Sequence, residues 1–421
     1  MRVAILGVGT VGAEVANVLI KNSDLIASRA GVSITPVVGV VRDLSKHKDS
    51  IIPLTDDIDS VINRDDIDVF VELMGGIDKP YEIVSKILER KKAVVTANKA
   101  LLAYYRNELE SLAGDTAFGY EASVAGGIPI IKALREGLSA NHIQKIMGIM
   151  NGTSNYILTS MMSSGVQFDE ALKKAQELGY AEADPTFDIG GFDTAHKLLI
   201  LASIAYCVHA KPEDIMIEGI SEISSEDIYF ANEFEYAIKL LAIAKRGEGT
   251  LELRVHPAFI SKDKMLANVN GVMNAVSVVG DAVGESLFYG AGAGGSATAS
   301  AVISDLIDIA REIRNPMLGY KAPLESAPLK LLKPSQIKTK YYLRLKVADE
   351  VGVLAKITNL MSQNNLSIDS FLQKAKSKDE GCATLFFTTH TCLEADMLRV
   401  INSLENESFI KAKPFMIRIE S

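Results

Sequence analysis

Residues Arg2 to Leu6 are almost uniformly apolar, and a glycine-rich turn followed by a helical run (EVANVLIK) comes directly after them. A short run without alternation is what a strand buried on both faces of a parallel sheet requires. Further apolar runs at Thr35 to Val41, Val69 to Leu73 and Ala93 to Thr96 alternate with amphipathic helices, which predicts a doubly wound α/β domain over residues 1–130. The pattern then changes. The segment GYEASVAGGIPIIKALREGL mixes glycines, a proline and a helix, a long strand (HIQKIMGIMN) follows, and several helices with at least three strand-like runs occupy Asn151 to about Val283. This reads as an α+β substrate and dimerisation domain over 131–295. The run AGAGGSATASAVISDLIDIAREI predicts a glycine loop opening a helix over 296–318 that returns to pack on the first domain.

Pro323, Pro328 and Pro334 with several lysines predict a linker at 321–340. Beyond it, strands at Tyr341 to Val347, Leu366 to Phe371, Ala383 to Thr389 and Ala412 to Ile419 enclose helices at Val353 to Asn364 and Leu393 to Leu404. That order is βαββαβ, the ferredoxin-like arrangement, over 341–421.

A chain of 421 residues suits two or three such domains, and 48% hydrophobic with 23% charged residues excludes disorder and fibrous classes. The net charge of -9 arises from acids and bases mixed along the chain, so no basic stripe is present to bind nucleic acid. Cys207, Cys382 and Cys392 form no CxxC pair, and six scattered histidines show no ligand spacing, which argues against disulfides and catalytic zinc. With no signal-type segment and no apolar stretch of about 18 residues, the expectation is a soluble protein of the cytoplasm, away from membranes.

The chemistry begins at Gly7-Val8-Gly9-Thr10-Val11-Gly12, between a buried strand and a helix. In a Rossmann-type βαβ unit the first glycine allows the tight turn, the second admits a pyrophosphate and the third lets helix and strand approach. The expected ligand is a dinucleotide; a plain strand-to-helix turn is the alternative. The second strand ends Val41-Arg42-Asp43. Arg42 there suits a 2′-phosphate and tilts the cofactor toward NADP, although Asp43 offers a grip on the ribose of NAD and an exposed loop arginine is the bland reading. Farther on, Asp193 and Lys197 are four apart at a helix start, a spacing that more often marks a solvated ion pair. The residues after Lys197, LLILASIAY, must be buried, however. A lysine one turn into a buried helix is desolvated, which lowers an ammonium pKa and suits it to proton transfer. His196 falls on another face and is expected to pack.

Gly179-Tyr180-Ala181-Glu182-Ala183-Asp184-Pro185-Thr186-Phe187-Asp188, continued by Gly191-Phe192-Asp193-Thr194-Ala195-His196-Lys197, resembles the signature of homoserine dehydrogenases. Val95-Thr96-Ala97-Asn98-Lys99-Ala100, Glu121 to Pro129, Asn151-Gly152-Thr153-Ser154-Asn155-Tyr156 and the glycine loop Gly290 to Val302 resemble further family segments in the same order. The resemblance spans residues 1 to about 320. It implies NAD(P)-linked interconversion of aspartate semialdehyde and homoserine. Lys197 would then be the acid–base group, Lys99 a second lysine polarising the same oxygen, and Asp188 an acid of the hydride-transfer site. Glu182 and Asp193, with Gly179, Tyr180 and Thr153, would hold the substrate, whose cationic amine suits carboxylates. Gly7, Gly9, Thr10, Val11, Gly12, Arg42, Thr96, Lys99, Gly294 and Gly295 would bind the cofactor.

The same resemblance implies a monovalent cation site, sodium, at Glu121 with Val124, Gly126 and Ile128; Glu121 as a helix cap is the alternative. One departure is Ala297, where the family often has proline. Tyr341 to Leu354 resembles the opening of an ACT domain, implying a homodimer or homotetramer and threonine as a candidate effector; a dimerisation module without ligand is the alternative. A related dehydrogenase with another amino-acid substrate, or a sensor without catalysis, are the competing functions. Intact Lys99, Lys197 and Glu182 speak against the sensor.

Overall fold

A computed structural model describes residues 1–311, 329–374 and 381–420. They form two compact units, each assembled from separated segments: 1–152, 192–214 and 272–329 in one, and 153–191, 215–271 and 330–421 in the other. This grouping cuts across the expected sequential division at 130 and 295.

The first unit contains a parallel sheet of β1 (Arg2–Leu6), β2 (Thr35–Val40), β3 (Leu54–Thr55), β4 (Val69–Glu72), β5 (Ala93–Thr96) and β6 (Phe118–Gly119), in the order β3-β2-β1-β4-β5-β6. This is the Rossmann order, and ligands bind outside the carboxyl ends of β1 and β4, where the winding direction switches. Leu6, Glu72 and Thr96 lie in register at those ends. The strands are mostly apolar, with polar residues at their ends, and the helices α1 (Thr10–Lys21), α2 (Asp78–Glu89), α3 (Lys99–Ala113), α4 (Phe192–Tyr206) and α5 (Gly295–Ala310) belong to the same unit. The late helix α5 packs on the core of this sheet, where Ala299, Val302, Ile303 and Leu306 lie with Val15 and Leu19 of α1 and Val3, Ile5 and Val71 of the strands. Its described part ends at Ala310, and residues 312–318 of the expected helix lie outside the described residues. Strands Ile143–Ile149, Met273–Gly280 and Gly284–Ala291 form an antiparallel sheet in this unit, with Met273–Gly280 in the middle.

In the second unit, strands Tyr236–Gly247 and Thr250–Ser261 pair along their whole length around a turn at Glu248 and Gly249. The C-terminal segment folds as the expected βαββαβ: Lys338–Ala348, Val353–Gln363, Ile368–Lys374, Cys382–Thr389, Glu394–Glu405 and Phe415–Glu420. Its strands pair in the spatial order 415–420, 338–348, 382–389, 368–374, and both helices cover one face through Ile357, Met361, Met397, Val400 and Leu404.

The expected linker at 321–340 is only partly one. Residues 321–328 lie outside the described residues, but Lys330–Leu331 pairs with Thr250 and Leu251, and the long strand already begins at Lys338. From Lys330 onward the chain is not detached, because its backbone groups find partners on a neighbouring strand. The C-terminal domain is joined as firmly. Phe415–Glu420 runs parallel to Thr250–Ser261, Arg418 holds Glu218 at 2.7 Å and also Glu394, and Arg254 pairs with Glu420. Arg418 and Glu394 are almost fully buried. Removing one partner of a buried pair leaves an uncompensated charge, so Arg418→Met is expected to lower stability by about 3–5 kcal/mol, read as a lower denaturant midpoint.

Candidate active site

The glycine loop takes the shape its sequence requires. Gly7 has φ +103°, and a Cβ there would lie 2.6 Å from the Leu73 carbonyl oxygen; one on Gly12 would collide with the Gly7 carbonyl. Gly9 is different: a Cβ there would meet nothing within 4 Å, so its face is open toward the N-terminus of α1, where no side chain caps the helix. Exposed amides at a helix N-terminus form an anion site, which fits the pyrophosphate of a dinucleotide. A cleft of about 460 Å³ opens beside it, lined by Gly7, Gly9, Arg42, Asp43, Lys46, His47, Met74, Gly75 and Lys79 among others. The late glycine loop meets the start of α1, since a Cβ on Gly295 would touch Thr10 at 3.4 Å and the Ser296 hydroxyl donates to Glu14. Asp43 Oδ1 accepts from the Ser45 amide and hydroxyl, bonds that lower its pKa.

At the ends of β4 and β5 the chain builds the start of α3. Thr96 Oγ1 donates to Glu72 and accepts the Asn98 amide, and Asn98 Oδ1 caps α3 by accepting the Leu101 amide. Lys99 is therefore the first residue of a helix whose start is fixed. Its Nζ lies 2.6 Å from Asp193 Oδ1. On α4, Lys197 Nζ donates to Asp193 Oδ2 at 2.7 Å and to the Met150 carbonyl at 2.7 Å, and Asn151 Nδ2 donates to the same carboxylate oxygen at 2.9 Å. The i, i+4 pair seen in the sequence is thus buried rather than solvated, because α4 is apolar on nearly every side. Side-chain exposure is 2% for Asp193, 10% for Lys197 and 36% for Lys99, which makes Lys197 the desolvated lysine and Lys99 the outward one. Burial alone would raise the Asp193 pKa, but Lys197 and Lys99 outweigh it and hold the carboxyl well below the usual carboxylate range. Two ammonium groups on one anion is an arrangement suited to stabilising an additional negative oxygen and passing it a proton. His196 packs edge-on against Tyr104, as expected, and burial lowers its pKa.

The other expected substrate residues gather in the second unit. Thr153 Oγ1 donates to the Tyr180 carbonyl at 2.5 Å and Ser154 Oγ to the Asp188 carbonyl at 3.0 Å, so the helix Gly152–Ser164 holds the loop that carries Gly179, Tyr180, Glu182 and Asp188. Gly179 has φ +75°, the Glu182 side chain is exposed, and Asp188 lies on the single turn Thr186–Ile189. The residues that sequence reasoning missed are Asn151 and the Met150 carbonyl, which brace the lysines, and Lys46, His47 and Lys79 beside Arg42. Asn151 stood inside a matched segment; the cleft lysines carried no local signal.

Around Glu121 both alternatives find support. Its carboxylate accepts the amides of Ile131 and Lys132, so it does cap the helical turn Ile130–Lys132. Each oxygen keeps a second lone pair, and Ala125 and Gly126 adopt φ of 55° and 52°, the irregular backbone in which carbonyls turn out of a regular ladder. Buried Asp305 accepts the Glu121 amide through Oδ2, and its Oδ1, without a hydrogen bond, faces the Lys132 ammonium at 4.0 Å. A hard-oxygen, acid-rich setting of this kind fits a monovalent cation held by Glu121 and the carbonyls of Val124, Gly126 and Ile128.

Comparison with known proteins identifies what the chain is similar to. Residues 129–307 match the family model "Homoserine dehydrogenase", residues 7–120 match "Homoserine dehydrogenase, NAD binding domain", and residues 341–409 match "ACT domain". A homoserine dehydrogenase of Helicobacter pylori is 52% identical over all of this chain and 99% of its own. The crystal structure of one from Thiobacillus denitrificans is 45% identical with a TM-score of 0.95, covering 100% of this chain and 98% of that one. A hyperthermophilic archaeal homoserine dehydrogenase in complex with NADPH is 29% identical with a TM-score of 0.62, covering 73% of this chain and 96% of that one.

Proposed function

The chain belongs to the homoserine dehydrogenase family of NAD(P)-dependent oxidoreductases, and from that premise we propose how its own residues interconvert L-aspartate 4-semialdehyde and L-homoserine. Lys197 gives a proton to the aldehyde oxygen on reduction and takes it from the homoserine hydroxyl on oxidation. Lys99 adds its positive charge to the same oxygen. Asp193 holds both lysines in place and, with Glu182, Gly179, Tyr180 and Thr153, binds the substrate, its carboxylate and that of Glu182 suiting the cationic amine; Asp188 is an acid of the hydride-transfer site. When bound, the nicotinamide supplies or accepts the hydride; Gly7, Gly9, Thr10, Val11, Gly12, Thr96, Gly294 and Gly295 bind the cofactor. The observation that carries this reading is the buried Asp193 carboxylate, shared by Lys99 and Lys197.

NADP is the preferred cofactor in this proposal. Arg42, Lys46, His47 and Lys79 line one cleft, Asp43 is already engaged by Ser45, and a related archaeal enzyme is known with NADPH. Arg42→Ala is expected to raise the KM for NADP by roughly 10- to 100-fold, the cost of a lost charge-assisted hydrogen bond, and to change that for NAD much less. Equal effects on both would remove Arg42 from 2′-phosphate recognition. The proposal also places the enzyme in the cytoplasm as a homodimer or homotetramer in threonine and methionine biosynthesis. A sodium ion sits at Glu121, Val124, Gly126 and Ile128, and threonine acts as effector at the ACT domain. Homoserine-dependent reduction of NADP and NAD, with and without threonine and sodium, tests these points. Turnover with other amino alcohols but not homoserine would overturn the substrate assignment.

A further inference from the structure

Glu72 ends β4 with no exposed surface, and among the described residues no lysine, arginine or histidine pairs with it. A buried carboxylate without a cation is expensive, so its hydrogen bonds must matter to the structure around it. Oε1 accepts the Met74 amide at 2.7 Å and Oε2 accepts the Thr96 hydroxyl at 2.5 Å. Because Thr96 Oγ1 also accepts the Asn98 amide at 3.0 Å, its one proton is committed to Glu72. Asn98 then ties two loops: its Oδ1 caps α3 and its Nδ2 donates to the Gly76 carbonyl at 2.8 Å. Gly75 and Gly76 have φ of 72° and 83°, so the loop after β4 holds a shape that needs such anchoring. The next residue is Lys99, whose ammonium reaches Asp193.

We infer that Glu72 is a positioning residue for the reaction: through Thr96 and Asn98 it fixes the start of α3 and thereby aims Lys99 at the oxygen that changes charge. Burial raises the Glu72 pKa by more than the bonds from Thr96 and Met74 lower it, so the positioning role stands on the hydrogen-bond geometry. This inference rests on the proposed role of Lys99, and the test separates the two.

Glu72→Gln keeps the volume but not the polarity. If its amide faces Thr96, the hydroxyl proton loses its acceptor; if it faces Met74, two donors meet. Glu72→Asp keeps the charge and is one methylene short. Both variants are assayed for homoserine oxidation beside Lys99→Met, with thermal melts. The expected result is a kcat lowered roughly 10- to 100-fold in Glu72→Gln and Glu72→Asp, the homoserine KM changed by less than about 3-fold, and folded protein throughout. Loss in Lys99→Met with normal kcat in either Glu72 variant overturns this inference alone. Normal kcat in Lys99→Met overturns the role of Lys99, and the inference with it. A raised KM with unchanged kcat, or failure of both Glu72 variants to fold, makes Glu72 a structural residue and overturns the positioning role.

Discussion

Lys197→Met is expected to lower kcat for homoserine oxidation by about 10³-fold or more while the protein still folds and binds cofactor. General acid–base groups contribute about 10²–10⁴-fold, and Lys197 also carries charge that stabilises the alkoxide, so the upper part of that range applies. The fold should survive because methionine matches the aliphatic length of lysine inside an apolar helix, and Asp193 retains Lys99 and Asn151 as partners. Single-turnover kinetics with cofactor binding followed by fluorescence separate the two effects. Near-normal turnover would remove Lys197 from the chemistry.

Asp193→Ala should damage both stability and rate. It leaves two ammonium groups facing one another without their shared anion, and breaking such a buried arrangement costs about 3–5 kcal/mol. The pH dependence follows from the direction of the Asp193 shift. Burial would raise its pKa, but Lys197 and Lys99 hold it well below the unfolded value. A carboxyl depressed in this way contributes stability that is fully present above its unfolded pKa, near 4, and is lost progressively as pH falls from there through the folded value. The difference in melting temperature between the wild type and Asp193→Asn should therefore be constant above about pH 5 and shrink below it. A difference that grows on acidification would contradict the assigned ionisation.

Much of this was legible in the sequence because local pattern and tertiary context agree. The unbroken apolar strands, the three glycines of the first turn and the βαββαβ tail each state their structure over a few residues, and helix α5 announced its return by being apolar enough to need a second core. The pair Asp193 and Lys197 was visible by spacing, and the apolar residues after it indicated burial rather than solvation. Three things were not legible. Nothing local says that Lys99, 94 positions before Asp193 in the chain, shares its carboxylate, because that contact depends on how α3 packs against α4. The stretch at 321–340 reads as a spacer by its prolines, yet the partner of Lys330–Leu331 is a strand some 80 residues earlier. Glu72 looks like an ordinary strand terminus until its two oxygens are traced to Met74 and Thr96.

The most direct test of the central claim is a crystal structure of the chain with homoserine and a non-reactive cofactor analogue bound. The account predicts the Lys197 ammonium about 3 Å from the homoserine hydroxyl, within hydrogen-bonding reach, with Lys99 on the same oxygen and Asp193 behind both. A Lys197 side chain still on the Met150 carbonyl and out of reach of the substrate, with another residue on the hydroxyl, would contradict it.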